Sequence, residues 1–277
     1  MPQIGLRMQN KKITKNLKNF SDHANLNHYF MFILQIVVGL FVLSLWELGS
    51  GTIVDSFLIS EPSSIFKRLY GWIAAKSIWI HVWATLYSTI IGFFIGTIAG
   101  VIAGIGLALS PFFSRLLNPF IWALNASPKV ALAPLFILWF GLGIESKIAL
   151  AAVLVVFLVF VSTYAGVKQV DPDLVDTVKL MGASKFQILT KVILPDATPW
   201  IYVGIQSAIP YALIGTIIGE MIASNRGLGY LVQRSGSEFD TAGVFASLIV
   251  ISLIGVVLNQ VFALIQARSQ KWKLISR

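Results

Sequence analysis

Residues 82–114 form a run of thirty-three positions without a single Asp, Glu, Lys or Arg. A chain that must bury such a run either encloses it in a very large core or places it in lipid. The rest of the sequence decides for lipid: hydrophobic residues make up 56% and charged residues 12%, whereas a soluble domain carries about 25% charged residues. A helix crossing the hydrocarbon core needs about 20 apolar residues at about 1.5 Å each. Apolar runs at 29–46, 82–114, 116–144, 148–167, 197–219 and 241–267 meet that requirement, the third broken only by Lys129. The expected architecture is all-α, an integral membrane bundle of six transmembrane helices. The second run exceeds one crossing, so it is expected to tilt or to extend beyond the bilayer.

Basic residues orient the bundle. With a cytoplasmic N-terminus, the inner segments hold fourteen: five in the tail (Arg7, Lys11, Lys12, Lys15, Lys18), Arg115, four from Lys168 to Lys191 and four at the C-terminus. The outer segments hold six: Lys67, Arg68, Lys76, Lys147, Arg226 and Arg234. That asymmetry obeys the positive-inside bias and places both termini in the cytoplasm. It also accounts for the net charge of +9 without a nucleic-acid role, for which no aromatic platform accompanies the lysines. Residues 1–28 read as a cytoplasmic basic tail ahead of an uncleaved start helix, and residues 29–277 as the membrane domain. The absence of cysteine excludes thiolate metal sites and Cys nucleophiles. Only three His are present, His23, His28 and His81, and neither H-E-x-x-H nor G-x-S-x-G occurs, which argues against a membrane-embedded enzyme.

The spans differ in what they are built to do. Gly92, Gly96, Gly100 and Gly104 recur every fourth residue, forming one ridge on which a neighbouring backbone can approach closely. Pro128 and Pro134 in the third run, and Pro199 and Pro210 in the fifth, remove backbone donors and are expected to kink their helices. An ionised side chain in the bilayer costs at least about 2.5 kcal/mol by insertion scales, so Lys129 and Glu220 are expected to face the bundle interior or water, or to snorkel to an interface. With Asn125 one turn before Lys129, these three residues are the candidate pathway positions. Glu47 and His81 fall at span ends and are expected to be interfacial.

The segment at residues 171–195, DPDLVDTVKLMGASKFQILTKVILP, reads as two short helices on the cytoplasmic side. Asp171 is a plausible N-cap with Pro172 at the first helical position, and Gly182 supplies a stop. Ser184 and Gln187 then make a capping box for the next helix. Leu174, Val178 and Met181 fall at i, i+4 and i+7 and predict an apolar stripe that wants a partner.

Here the chain resembles a known family. Asp176-Thr177-Val178, three residues, Gly182, nine residues, Val192, one residue and Leu194-Pro195 resemble the EAA loop of permease subunits of binding-protein-dependent ABC importers. That pattern is E-A-A, three residues, Gly, nine residues, Ile, one residue, Leu-Pro; alanines usually stand where Thr177 and Val178 stand here. Val130-Ala131-Leu132-Ala133-Pro134-Leu135, Trp139-Phe140-Gly141-Leu142-Gly143, Ser146-Lys147 and Gly227-Leu228-Gly229-Tyr230-Leu231 further resemble the branch handling nitrate, sulfonates and taurine. The resemblance spans about residues 79–268.

What the resemblance implies is a MetI-like ABC importer permease fold in a bacterial inner membrane and a transport subunit that is not itself an enzyme. Leu174, Asp176, Thr177, Val178, Met181, Gly182, Ala183 and Ser184 would dock on a cytosolic ATP-binding subunit. A periplasmic or surface substrate-binding protein would deliver the solute, and a second copy of the chain would complete the pathway. No cofactor or metal is expected; ATP would be bound by the partner, since G-x-x-x-x-G-K-[ST] is absent. A small anion such as a sulfonate, taurine or nitrate is the leading substrate class. The alternatives are a pyrimidine or thiamine precursor, an aromatic acid, and, from another class, a secondary transporter.

Overall fold

A computed structural model of the protein describes residues 30–53 and 55–269. The basic tail at 1–28 and the terminal cluster Lys271, Lys273 and Arg277 lie outside the described residues. The chain separates into two compact units at residues 64 and 65.

In the first unit α1 (Phe30–Gly49) is apolar and exposed from Phe30 to Leu45, the surface expected of a helix solvated by lipid. Beyond it Ser50 Oγ donates to the Ile59 carbonyl at 2.5 Å, and Glu47 accepts from the Ser63 amide at 3.0 Å. Glu47 therefore serves the first turn of α2 (Pro62–Ala74), whose N-terminal amides otherwise lack acceptors.

The second unit is built around α6 (Ile144–Lys168), with α3 (Ile78–Ala108) and α9 (Leu194–Ile222) against it. Glycine makes both contacts possible. A methyl group on Gly92 would lie 2.6 Å from Ala151 Cβ, on Gly96 2.6 Å from the Ala152 carbonyl, on Gly100 2.8 Å from the Val156 carbonyl and on Gly104 2.8 Å from Thr163 Cβ. The four glycines thus form one face of α3 pressed along four turns of α6. On the other side Gly204 and Gly215 of α9 lie against Ser162 and Ala151. Val155, Val159, Ala208 and Ala212 fill the centre. Beyond the C-terminus of α9, α10 (Leu228–Ser237) buries Leu228, Gly229 and Leu231 and leads into α11 (Thr241–Ser269).

The third apolar run is not one helix. It begins at Pro111 as α4 (Pro111–Ala126), breaks, takes a 3-10 turn (Lys129–Leu132) and continues as α5 (Ala133–Phe140), with an 84° bend between the halves. Pro128 is the cause: the residue before a proline is pushed out of the helical region, and Ser127 is extended at φ −68°, ψ 139°. Among the described residues, five continuous helices are long and apolar enough to span, and six spans result when the bent pair counts as one. The 31-residue α3 ends at Ala108, because Ser110 is extended and Pro111 starts the next helix. By contrast α9 stays helical through Pro199 and Pro210, the two residues expected to kink it. Its irregularity lies earlier, in a π-helical turn at Leu189–Ile193 that joins α8 (Lys185–Ile188) to α9. The second of the two predicted short helices is therefore the first turn of the fifth span, not a separate element.

Replacing Gly96 or Gly100 by Val is expected to destabilise the bundle by at least about 1–3 kcal/mol, the usual cost of overpacking, seen as a lowered thermal midpoint in detergent. Gly106→Ala, on an open face of the same helix, should leave the midpoint unchanged.

Candidate functional site

Two regions at opposite ends of α6 and α9 carry the polar chemistry. The first is the connection between them. Asp171 accepts from the Asp173 amide at 2.9 Å and caps α7 (Pro172–Leu180), with Pro172 at the first helical position. Gly182 ends the turn at φ +84°, a left-handed conformation that disfavours L side chains. Ser184 and Gln187 form a reciprocal capping box, at 2.8 and 3.3 Å. Asp176 is exposed, and Thr177 Oγ1 donates back to the Asp173 carbonyl at 2.7 Å. Ala183 is half-buried.

The apolar surface here differs from the predicted stripe. Leu174 and Met181 face outward, but Val178 is half-buried, and Leu180 and Phe186 take its place outside. Leu180 is 89% exposed, Met181 81% and Phe186 73%. Leu180 lies off the i, i+4, i+7 stripe as the last residue of α7, and Phe186 belongs to α8, beyond the turn at Gly182.

The second region is the opposite end, at the start of α6 and the finish of α9, where two buried ionisable side chains sit among helix termini. Lys147 is 3% exposed, and its ammonium donates to three carbonyls: Leu142 at 2.6 Å, Gly143 at 2.8 Å and Ala223 at 2.5 Å. An ammonium has three donors, and all three are satisfied. Its acceptors lie just past the C-termini of α5 and α9, where helix dipoles favour a cation. Gly219 gives the lysine stem room, since a methyl there would come to 3.1 Å from Lys147 Cγ.

Glu220 is the counterpart. It is 3% exposed and accepts from Thr85 Oγ1 and the Gly229 amide, each at 2.9 Å. Thr85 in turn accepts from the Leu228 amide at 2.8 Å, and the Gly227 amide donates to His81 Nδ1 at 3.1 Å. The carboxylate thus sits at the N-terminus of α10, where a negative charge is favoured. The Gly227-Leu228-Gly229-Tyr230-Leu231 motif wraps it: Gly227 has φ +116°, and a Cβ at Gly229 would collide with the Ile217 carbonyl. Glu220 is therefore buried in a hydrogen-bonded cluster, not snorkelling. His81 is likewise part of the cluster, stacked on Tyr230 at 5.7 Å. No ion pair within 4.0 Å joins Lys147 to Glu220 among the described residues. Between them lies a cavity of about 260 Å³, lined also by Ser88, Ser224, Asn225 and Arg226.

Lys129 and Asn125 are brought together, but elsewhere. Lys129 Nζ donates to the Asn125 carbonyl at 2.9 Å and lies 4.7 Å from the Phe157 ring centroid. Phe157 is ten residues along α6 from Lys147, about 15 Å, so Lys129 and Glu220 do not share a site. Lys129 is half-buried beside the break in the third span. In the sequence Thr85 does not stand out at all, and Lys147 stands out as an outer-segment charge and as part of the Ser146-Lys147 resemblance, with no sign of its carbonyl partners. The signal available was its place after Gly141-Leu142-Gly143, a loop whose carbonyls are free to turn inward.

Comparison with known proteins adds a second line of observation. The Binding-protein-dependent transport system inner membrane component family matches residues 96–272. The chain is similar to the formylaminopyrimidine transport permease protein ThiX of Halalkalibacterium halodurans, 32% identical over 226 residues, covering 82% of this chain and 88% of that protein. It is also similar to the taurine transport system permease protein TauC of Escherichia coli, 30% identical over 233 residues, covering 82% and 84%. Among solved structures, an inward-facing MetNI methionine ABC transporter shares the fold with a TM-score of 0.60 at 19% identity, covering 70% of this chain and 94% of that one.

Glu220→Ala is expected to leave the Gly229 amide without its acceptor, at about 1–3 kcal/mol, and to loosen residues 227–231. Hydrogen exchange of those amides should accelerate in Glu220→Ala and change less in Glu220→Gln, which keeps an acceptor oxygen.

Proposed function

Since the chain belongs to the family of binding-protein-dependent transport system inner membrane components, we propose a specific division of labour for a permease subunit of an ABC importer. ATP hydrolysis resides in a separate subunit, and the chain itself is a transport component and not an enzyme. The segment at 171–195 is the ATPase-docking element. Leu174, Leu180, Met181 and Phe186 seat in the partner; Asp171, Gly182 and Ser184 hold the shape that presents them. Asp176, Thr177, Val178 and Ala183 form the remainder of this coupling surface. The observation that carries this reading is the cluster of exposed Leu180, Met181 and Phe186 at the connection between α6 and α9. Residues 171–191 carry Lys179, Lys185 and Lys191 among their apolar side chains, so this surface belongs outside the bilayer, where apolar side chains gain about 1.5–3 kcal/mol each on burial.

Two copies of the chain line the pathway, both termini are cytoplasmic, and the cavity end faces the substrate-binding protein. The basic asymmetry supports that orientation. The substrate is a small polar organic or inorganic solute. An anion of the sulfonate, taurine or nitrate kind fits Lys129, which has one carbonyl partner and, among the described residues, no carboxylate within 4.0 Å. A pyrimidine precursor is the second reading, favoured by the similarity to the formylaminopyrimidine permease.

Gly182→Pro, which cannot adopt φ +84°, and Met181→Asp are expected to abolish ATP-driven uptake while membrane insertion persists; uptake at the unsubstituted rate would remove this segment from the coupling role. Lys129→Ala should lower uptake of taurine in reconstituted vesicles and spare assembly. An unchanged rate with taurine, together with uptake of formylaminopyrimidine, would favour the second reading.

A further inference from the structure

We propose that Lys147 is a positioning residue for transport, clamping the loop after α5 to the end of α9 so that the outer mouth of each subunit moves as one piece. The inference rests on the importer reading above. It begins with which segments the ammonium joins. Leu142 and Gly143 belong to the loop that closes the bent third span, and Ala223 is the residue at which α9 ends. Apart from the connection through α6 itself, the three hydrogen bonds from one buried Nζ tie these two outer ends together.

The other end of α9 explains why such a tie matters. Through the π-helical turn, α9 continues directly from the segment at 185–193, so displacement of that segment is passed along a helix that ends at Ala223. Glu220, one turn before the end, fastens α9 to α3 through Thr85 and to α10 through Gly229. Among the described residues, Lys147 supplies the hydrogen bonds that join the α5 loop to α9, while α5 itself meets α9 through apolar packing around Ile218. Gly141, at φ +76°, and Gly143 flank Leu142, so the loop follows α9 through Lys147. An apolar residue at 147 would take the ammonium from the Leu142 and Ala223 carbonyls, leave the Gly143 carbonyl with Ser146 Oγ alone, and free the loop to lag behind.

The chain contains no cysteine, so paired labels report this distance cleanly. In the complex with its ATPase subunits in nanodiscs, Leu142→Cys and Ala223→Cys are spin-labelled and the intrachain distance is measured without nucleotide and with ATP. With Lys147 present, one narrow distribution is expected in both states; with Lys147→Met it should broaden. Maximal uptake should fall about tenfold, while the concentration of loaded binding protein giving half-maximal uptake stays within about twofold, the pattern of a step after binding. A short thiol cross-link between the two cysteines should restore uptake in Lys147→Met. A distribution in Lys147→Met that superimposes on the Lys147 one overturns the clamp. Should Lys147→Met fail to assemble, Lys147→Gln, with two donors on a shorter stem, decides by the same measurement. Absence of ATP-driven uptake in the complex with Lys147, with the narrow distance intact, would instead count against the importer reading.

Discussion

Close backbone approach along α6 is the constraint on which the other features depend. In lipid, apolar side chains gain nothing by leaving one hydrocarbon surrounding for another, so helices associate through shape. Gly92, Gly96, Gly100 and Gly104 on α3, with Gly204 and Gly215 on α9, remove the side chains that would hold the backbones apart. Only in that geometry does Thr85 of α3 reach Glu220 of α9, and only with Gly219 opposite its stem does Lys147 reach the Ala223 carbonyl. Packing and polar chemistry are therefore one arrangement.

The buried charges follow from the same economy of partners. An ammonium in an apolar site is tolerable when its donors are used, and a carboxylate when its lone pairs meet donors. Helix ends supply both, because the last carbonyls and the first amides have no partners within their own helix. Lys147 takes carbonyls beyond two C-termini; Glu220 takes an amide at the N-terminus of α10. Each charge settles a debt that the helix breaks create, and each break is in turn held in place by the charge.

Long apolar runs and the glycine ridge were legible because their signals are local: a hydropathy threshold and a period of four. The capping of α7 and α8 was legible for the same reason, since Asp171, Pro172, Ser184 and Gln187 act on neighbours within three residues. What the sequence concealed depends on the third dimension. The bend at Pro128 was legible as a kink, but its size of 84° is set by the packing of α5 against α6. The helix continues through Pro199 and Pro210, as a membrane permits when neighbouring helices and local adjustments re-satisfy freed groups. The role of Lys147 was hidden because its acceptors are backbone carbonyls, which no side-chain pattern announces.

Exposed apolar surface has two meanings in this molecule, and position separates them. α1 and α11 expose Leu, Val, Ile and Phe over most of their length, and lipid satisfies such faces without a partner. Leu180, Met181 and Phe186 expose as much of themselves, yet they stand among Lys179, Lys185 and Lys191, residues that belong in water. An apolar patch that lipid cannot cover costs free energy until protein covers it. Its rigid presentation, capped at Asp171 and Ser184 and turned at Gly182, means that covering it costs little further ordering. A partner bound there would act on α9 through an unbroken helix about 43 Å long, at whose far end Glu220 and the Lys147 contact at Ala223 are found.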